Sequence, residues 1–269
     1  MKDDTGDHGQ ADELLVDQRG PVRWVTFNRP QARNALTWNM YDRLERACHD
    51  VNADRGVQAV VFSGAGGKAF VAGTDIAQFR AFKTEKDALD YEARGDLVMR
   101  TLESVRVPTI AAIAGPCTGA GAAIAAACDL RIGSPSARYG FPIARTLGNC
   151  LSMANYARAA AVVGFARLKD LIMRARLMEA QEMLACGLLS EVTPDEESLL
   201  TRAQSLAEEV GSLAPLTLWA TKEALRRIRD RLTPEGADKD LIVACYMSQD
   251  FKEGVDAFLS KRQPSWKGE

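Results

Sequence analysis

Histidine is almost absent from the sequence, which contains only His8 and His49 in 269 residues. His8 lies in a polar, acidic N-terminal stretch, and His49 falls on the polar face of a predicted helix, so both are expected to face solvent. A zinc site or a Ser-His-Asp triad needs an imidazole that its surroundings hold in place. The sequence therefore predicts neither a metal site nor histidine-based nucleophilic catalysis.

Long apolar runs and an excess of one charge are also missing. No apolar stretch reaches the roughly 18 residues that span a bilayer, and 34 basic residues nearly balance 36 acidic ones. This balance gives no electrostatic reason to expect nucleic acid or a membrane surface as a partner. The first residues have neither the apolar core of a secretion signal nor an arginine-rich import pattern. We therefore expect a cytoplasmic protein in which residues 1–12 form a disordered tail.

Cysteine occurs six times, but never as a C-x-x-C pair. The positions are scattered along the chain, and most have apolar neighbours. Disulfide bonds are typical of an oxidising compartment, and metal sites of closely spaced cysteines. Reduced and mostly buried thiols are therefore predicted.

What the sequence does contain is an alternation of short apolar runs and amphipathic stretches up to about residue 195. The segment "ELLVDQRGPVRWVTFNRP" predicts a hairpin that turns at Gly20–Pro21, and "VQAVVFSG", "TIAAIAG" and "CDLRIGS" predict buried strands. Helices are predicted from Thr37 to about Asp54 and from Thr84 to about Val105. This order of elements is typical of an α/β fold.

The rest of the chain has a helical pattern. The predicted helices span about 196–211, 215–230, 237–249 and 251–260. Asp250 and Glu253 are predicted to cap the last of them. One basic stripe, formed by Lys222, Arg226 and Arg229, shares a helix face, where either a solvated surface or a phosphate site would explain it.

Two glycine-containing loops, "FVAGTDI" (70–76) and "GPCTGAGAAI" (115–124), each follow a buried strand and precede a helix start. The first N–H groups of a helix have no partner and carry partial positive charge. Two such starts that converge would bind an anion or stabilise an oxyanion as it forms. The glycines could instead allow close helix–strand packing. A dinucleotide loop is the weakest interpretation, because the last glycine and the acidic residue about twenty positions later are missing.

Four segments, "NRPQARNAL", "KAFVAGTDI", "IAGPCTGAGAAIAAACDLRI" and "KEGVDAFLSKRQPSWKG", resemble in order and spacing those of the enoyl-CoA hydratase/isomerase, or crotonase, superfamily. The resemblance runs from about residue 13 to the C-terminus. It implies a spiral of ββα units over 13–195 and a helical region over 196–269 that mediates assembly into a homotrimer or a dimer of trimers. It also implies acyl-CoA thioesters as ligands, so that coenzyme A enters with the substrate and no further cofactor is expected.

In this family two backbone N–H groups hold the thioester oxygen as it takes on enolate charge, and the resemblance places them at Thr74 and Ala120. Hydratases of the family add two glutamates, at the positions that match Ala123 and Ile143 here. Both carboxylates are therefore missing. General acid–base help is typically worth about a hundredfold to ten-thousandfold, so their loss argues against standard hydration.

The resemblance implies further contacts with the substrate. Arg33 lies where the family's backbone grips the adenine and pantetheine part of coenzyme A, and Lys261 matches a lysine that approaches the nucleotide end, often from a neighbouring subunit. The other positions predicted to bind substrate are Ala35, Ala72, Asp75 and Ile76.

Several polar side chains allow two interpretations. Arg145 could bind a substrate carboxylate or form an ion pair at the surface or an interface. Asp75 could transfer a proton, but capping of the next helix is favoured. Glu92 and Arg94 belong to a polar helix that could cover the pocket, although a solvated helix face is the default expectation. Tyr139 is expected in the core.

On the residues alone, we favour a reaction that depends on enolate stabilisation with little general base. Decarboxylation of a malonyl-type thioester qualifies, because loss of carbon dioxide generates the enolate without proton abstraction. The resemblance alone implies an enoyl-CoA hydratase or isomerase. A non-catalytic acyl-CoA binder is a third possibility, and a nicotinamide oxidoreductase is disfavoured by the weak dinucleotide pattern.

Overall fold

The computed structural model of the protein describes residues 12–231, 233–234 and 236–269. Apart from Asp12, the predicted N-terminal tail lies outside the described residues, as does His8. Of the helices in this part of the chain, none combines the length and the apolar composition needed to cross a membrane. All six cysteines are free thiols and four of them are buried, which confirms that prediction.

Strands and helices alternate through most of the chain. The strands are β1 (Leu14–Arg19), β2 (Val22–Phe27), β3 (Ala59–Gly64), β4 (Thr109–Ile113), β5 (Pro116–Thr118), β6 (Leu130–Gly133), β7 (Arg138–Gly140), β8 (Met178–Glu179) and β9 (Glu191–Val192). The α-helices are α1 (Trp38–Ala53), α2 (Glu85–Glu103), α3 (Ala120–Ala127), α4 (Ile143–Thr146), α5 (Met153–Val163), α6 (Phe165–Met173), α7 (Ala180–Ala185), α8 (Glu197–Gly211), α9 (Pro215–Asp230), α10 (Lys239–Tyr246) and α11 (Gln249–Leu259). Two short 3-10 helices span Pro30–Ala32 and Ile76–Ala81.

The larger sheet has six strands in the order β1-β2-β3-β4-β6-β9. Strands β1 and β2 form the predicted hairpin, which turns at Gly20 with a φ of 58°. The other neighbours are parallel. Parallel neighbours need crossover connections, and α1 and α2 supply the first two of them. Strands β3 and β4 are buried almost throughout, as continuous apolar runs predict.

A second layer consists of short extended segments. Strands β5, β7 and β8 form a three-stranded sheet, and two single bridges continue it, from Val71 to Cys117 and from Leu36 to Thr74. Successive turns of the chain therefore add a strand to the large sheet, an extended segment to the second layer, and a helix. This is the predicted spiral of ββα units. The strands β5, β7 and β8 were not predicted, because two or three residues are too few to show an alternation of apolar and polar positions.

Local capping signals fix the starts of the first two helices. The Thr37 Oγ1 accepts a hydrogen bond from the N–H of Met40 at 3.3 Å, so α1 begins as predicted. Its apolar face is buried in the core between the two layers. Thr84 and Asp87 form a reciprocal capping box at the start of α2. Both helix starts confirm the sequence prediction.

The C-terminal helices pack in two different places. Helix α8 covers the outer face of the large sheet through Leu199, Ala203 and Leu206. Helices α10 and α11 instead pack on α2 and on the second 3-10 helix. The division into a core over 13–195 and a helical region over 196–269 stays a prediction.

The predicted cap of the last helix is wrong. The Ser248 Oγ accepts from the N–H of Phe251 at 2.9 Å, so Ser248 and not Asp250 is the capping residue. Asp250 accepts from the backbone N–H groups of the C-terminal tail, and Glu253 pairs with Arg262. Asp250 and Glu253 therefore match the sequence pattern of a capping box, but in the folded protein both bind the C-terminal tail instead.

The basic stripe on α9 is neither a solvated face nor an open phosphate site. Lys222 donates to the backbone carbonyl of Val107 at 2.8 Å and pairs with Asp129. Arg229 pairs with Glu103 of α2. Lys222 and Arg229 therefore fasten α9 to the core, whereas Arg226 pairs with Glu223 and Asp230 of its own helix.

Candidate functional site

The main cavity of the described residues has a volume of about 490 Å³ and lies where the second layer meets α2, α3 and the C-terminal helices. Nine of the eleven predicted site positions line it. They are Arg33, Ala35, Ala72, Thr74, Asp75, Ile76, Ala120, Ala123 and Ile143. The other two predicted positions, Arg145 and Lys261, have exposed side chains and are not among the lining residues.

The two glycine loops run side by side along one wall of the cavity. The N–H of Thr118 donates to the carbonyl of Val71 at 3.0 Å, and the second layer thereby joins the loops. Gly73 and Gly119 have φ values of 108° and 55°, which side chains rarely adopt. A Cβ atom on Gly119 would lie 3.4 Å from the Cα of Gly73, so the loops are in contact here.

The loop geometry leaves the N–H of Thr74 without a protein acceptor. The N–H of Leu36 donates to the carbonyl of Gly73 at 2.9 Å, and the N–H of Asp75 donates to the carbonyl of Leu36 at 2.8 Å. In a parallel ladder, the residue between these two points its own N–H to the opposite side. Among the described residues, no acceptor is bonded to that N–H.

The N–H of Ala120 is free for a different reason. Ala120 is the first residue of α3, and the first turn of a helix has no intrahelical acceptors for its N–H groups. No other acceptor within the described ranges takes this hydrogen. Close packing holds α3 in place, because a Cβ atom on Gly121 would lie 2.1 Å from the carbonyl oxygen of Val71. The glycines thus allow α3 to pack closely on the first loop, while the start of the helix leaves the N–H of Ala120 free within the described residues.

Two tyrosine hydroxyl groups fix the side chain of Thr74. Its Oγ1 is 2.9 Å from the hydroxyl of Tyr41 and 3.1 Å from that of Tyr91. Burial raises the pKa of Tyr41 to about 12, so this phenol stays neutral at physiological pH. The cluster links the first loop to α1 and α2.

Ala123 and Ile143 present no ionisable group to the cavity. Ala123 lies in the first turns of α3 and Ile143 begins α4, and both are nearly buried. The two positions that would carry glutamates in a hydratase of the family are therefore at the cavity wall, as the resemblance implies, but as apolar surface.

Asp75 is engaged in structural contacts. Its Oδ1 accepts from the N–H of Ala77 at 3.2 Å, which caps the second 3-10 helix, and its Oδ2 pairs with Arg29 at 3.0 Å. The favoured interpretation of this residue, a helix cap, is confirmed. Arg33 has a left-handed backbone and its carbonyl accepts from the N–H of Ala72 at 3.1 Å, which joins two more of the predicted positions.

The default expectation for Glu92 is wrong. Its side chain lines the cavity and is buried, only 7% exposed. The hydroxyl of Tyr246 on α10 donates to Glu92 Oε1, and that hydroxyl accepts from Asn149 Nδ2 at 3.1 Å. Arg94, two positions further, pairs at the surface with Asp42 and Glu45, as a solvated face predicts.

The environment of Glu92 favours its neutral form. Burial raises its pKa from 4.5 to about 8, against the hydrogen bond from Tyr246, which favours the charged form, and the nearby charge of Asp96 raises the pKa further. A carboxyl group with such a pKa is protonated for most of the time at neutral pH. The cavity therefore contains one carboxylic acid that can give up a proton near physiological pH.

Helix α2 is anchored behind this acid by buried charges. Arg158 of α5 is 2% exposed and pairs with Asp96 at 3.0 Å and with Glu103 at 3.2 Å. Breaking a buried pair leaves an uncompensated charge, so such pairs fix the position of the elements that carry them.

A signal for Glu92 was present in the sequence. Ala88, Glu92, Gly95 and Met99 recur at helical spacing, so Glu92 lies within the apolar stripe of α2. Because charged residues such as Asp90 and Arg94 are close by in the sequence, Glu92 was assigned to the polar face of the helix. Its partner Tyr246 could not have been inferred, because 154 residues separate the two along the chain.

Comparison with known proteins agrees with this geometry. The sequence model of the family described as enoyl-CoA hydratase/isomerase matches residues 17–269. A short-chain-enoyl-CoA hydratase of Clostridium acetobutylicum is 32% identical over 94% of this chain and 97% of its own length. A crotonyl-CoA hydratase of Syntrophomonas wolfei is 32% identical over 95% of this chain and 98% of its own length.

One solved structure is similar over almost the whole chain. A methylmalonyl-CoA decarboxylase in complex with 2-nitronate-propionyl-CoA matches with a TM-score of 0.86 at 26% identity, over 97% of this chain and all of that one. The fold is therefore the crotonase-like α/β spiral with a helical C-terminal region. The chain belongs to the enoyl-CoA hydratase/isomerase family and is an acyl-CoA-processing enzyme of the crotonase type.

Proposed function

We propose that the N–H groups of Thr74 and Ala120 form an oxyanion hole for the thioester oxygen of an acyl-CoA. The observation that carries this proposal is that both residues line the cavity and that neither amide has an acceptor among the residues that the structure describes. Preorganised donors of this kind stabilise charge as it develops in the transition state, and removal of one typically costs a hundredfold to a thousandfold in rate. The stabilised species is the enolate of the thioester.

We further propose that the reaction is decarboxylation of a malonyl-type thioester. The bond between the α-carbon and the carboxylate breaks, carbon dioxide leaves, and the electron pair passes to the thioester oxygen as the enolate. A proton then adds to the α-carbon. No base is needed to form the enolate, which suits a cavity with apolar side chains at Ala123 and Ile143. The similarity to the methylmalonyl-CoA decarboxylase supports this choice.

A direct test compares two thioesters with the purified protein. We expect carbon dioxide release from methylmalonyl-CoA, and hydration of crotonyl-CoA slower by at least the roughly hundredfold that general acid–base help supplies. Rapid hydration of crotonyl-CoA without turnover of methylmalonyl-CoA would refute the decarboxylase. Tight binding of acyl-CoA without product from either thioester would point to a non-catalytic binder.

Hydration or isomerisation of an enoyl-CoA is the second candidate. It is supported by the relatives, which are named hydratases and match nearly the whole chain. The same assay decides between the two, because the isomerase and hydratase products retain every carbon of the substrate. In either case coenzyme A enters with the substrate and no further cofactor is proposed.

A homotrimer, or a dimer of trimers, is proposed as the assembly. Helix α9 supports it, because Leu216, Leu225 and Ile228 are each more than half exposed and have no covering element in the described chain. Arg145 and Lys261 are also exposed and lie outside the cavity lining, and the contact of Lys261 with coenzyme A, often made from a neighbouring subunit in this family, stays a prediction. The cytoplasmic location stays a prediction.

A further inference from the structure

The cavity holds few groups that can move a proton. Of the ionisable side chains that line it in the described chain, Asp75 is engaged by Arg29 and by its helix cap, and Arg33 carries a permanent charge. The tyrosines that line it have pKa values raised by burial. Only Glu92 remains.

Contacts of α2 bring Glu92 to the side of the cavity where enolate charge would form. Tyr91, its neighbour in sequence, contacts the side chain of Thr74 through a hydrogen bond of 3.1 Å between the two hydroxyls. Glu92 and Thr74 both line the cavity. A thioester whose oxygen is bound at the amides would therefore share this cavity with the acid.

Hydrogen bonds hold the Glu92 carboxyl in place. Asn149 Nδ2 donates to the hydroxyl of Tyr246, so the proton of that hydroxyl is directed to Glu92 Oε1. A hydrogen bond from the backbone of Ser152 also favours the charged form of the carboxyl group. The acid is thus oriented by α10 and by the segment before α5.

We propose that Glu92 is the catalytic proton donor to the α-carbon of the thioester enolate, and the proton acceptor in the reverse direction. The proposal rests on the proposed enolate chemistry and adds the residue that completes it. The O–H bond of Glu92 breaks, a C–H bond forms at the α-carbon, and the carboxylate left behind takes a proton from water. Tyr246 and Asn149 are positioning residues, because their hydrogen bonds orient the carboxyl group of Glu92.

Exchange of the α-hydrogens of propionyl-CoA in deuterium oxide measures this step without decarboxylation. We expect Glu92→Gln to slow the exchange by about a hundredfold to ten-thousandfold, with propionyl-CoA binding within threefold of wild type. Carbon dioxide release from methylmalonyl-CoA is measured on the same samples. Glu85→Gln is the matched control, because Glu85 is an exposed glutamate on the same helix.

The Tyr246→Phe variant separates a catalytic role from a structural one. The hydrogen bond from Tyr246 favours the charged form of Glu92. Its removal should therefore shift the pH profile of exchange to higher pH while exchange itself persists. A residue that merely supports the fold would change the amplitude without moving the profile. If Glu92→Gln does not fold, the wild-type and Tyr246→Phe profiles alone decide the matter.

The outcomes keep the two proposals apart. Wild-type exchange together with Glu92→Gln exchange within threefold of it overturns the role of Glu92 and leaves the enolate chemistry standing. Identical pH profiles for wild type and Tyr246→Phe also overturn that role. A wild type that binds propionyl-CoA and methylmalonyl-CoA but neither exchanges nor decarboxylates overturns the proposed function, and the role of Glu92 with it.

Discussion

The two sides of the cavity are built in different ways. The amide side, at Thr74 and Ala120, consists of backbone N–H groups in two loops that the second layer holds together. The acid side, at Glu92, consists of side chains from separate elements, α2, α10 and the loop before α5. A backbone site tolerates sequence change as long as the loops keep their shape. A side-chain site depends on each residue and on the packing behind it.

The difference bears on Ala123 and Ile143, the positions where the resemblance implies the glutamates of a hydratase. The amide side needs glycines and a helix start, and the chain has glycines at Gly73, Gly119 and Gly121. A proton donor needs to reach the substrate and to have a suitable pKa, so another element that lines the cavity can supply the acid side. Glu92 meets the second condition because burial raises its pKa to about 8.

The largest effect is expected from the charges behind the acid side. Arg158→Ala should lower the free energy of unfolding by about 4 kcal/mol, because it removes the cation paired with partly buried Asp96 and leaves Glu103 with Arg229 alone. Urea denaturation measures the loss. Arg226→Ala is the control, since Arg226 pairs with residues of its own helix near the surface, and such pairs contribute about 1 kcal/mol or less. Equal losses in the two variants would contradict the importance of the buried pairs.

A somewhat smaller effect concerns pH. The folded-state pKa of Glu92 is raised from 4.5 to about 8, so between these values the folded protein binds more protons than the unfolded chain. Stability should therefore fall as pH rises through this window. For wild type we expect a loss on the order of 3 kcal/mol that Glu92→Gln removes. Urea denaturation at the two ends of the window tests it, and a variant with the wild-type slope would show that folding does not raise the pKa of Glu92.

The smallest effect tests the amide side. Gly121→Ala should cost about 2 kcal/mol of stability and slow thioester turnover, because the new Cβ would meet the carbonyl of Val71 and push α3 away from the first loop. Thermal unfolding provides the measurement. Gly95→Ala is the control for stability alone, since its Cβ would meet no atom within 4 Å and alanine favours the helix. A Gly121→Ala protein as stable as the control would mean that the loops are not held in close contact.

The buried strands and the first two helices followed from the sequence because their signals are local. Continuous apolar runs predict β3 and β4, and threonine caps predict the starts of α1 and α2. The amide loops were equally accessible through their glycines and through the resemblance of four segments. The last helix shows the limit of local signals, because Ser248 caps it although Asp250 and Glu253 fit the pattern.

By itself, the sequence determined the alternation of strands and helices through local patterns, and the family through four segments spread along the chain. The amides of Thr74 and Ala120 were predicted from the resemblance to that family. Only the tertiary structure decided that β5, β7 and β8 form a second layer and that Glu92 faces the cavity beside Tyr246. The physical reason is that burial and long-range hydrogen bonds set the pairing of short strands and the pKa of a carboxyl group. The residues adjacent in sequence therefore do not predict either the strand pairing or the pKa.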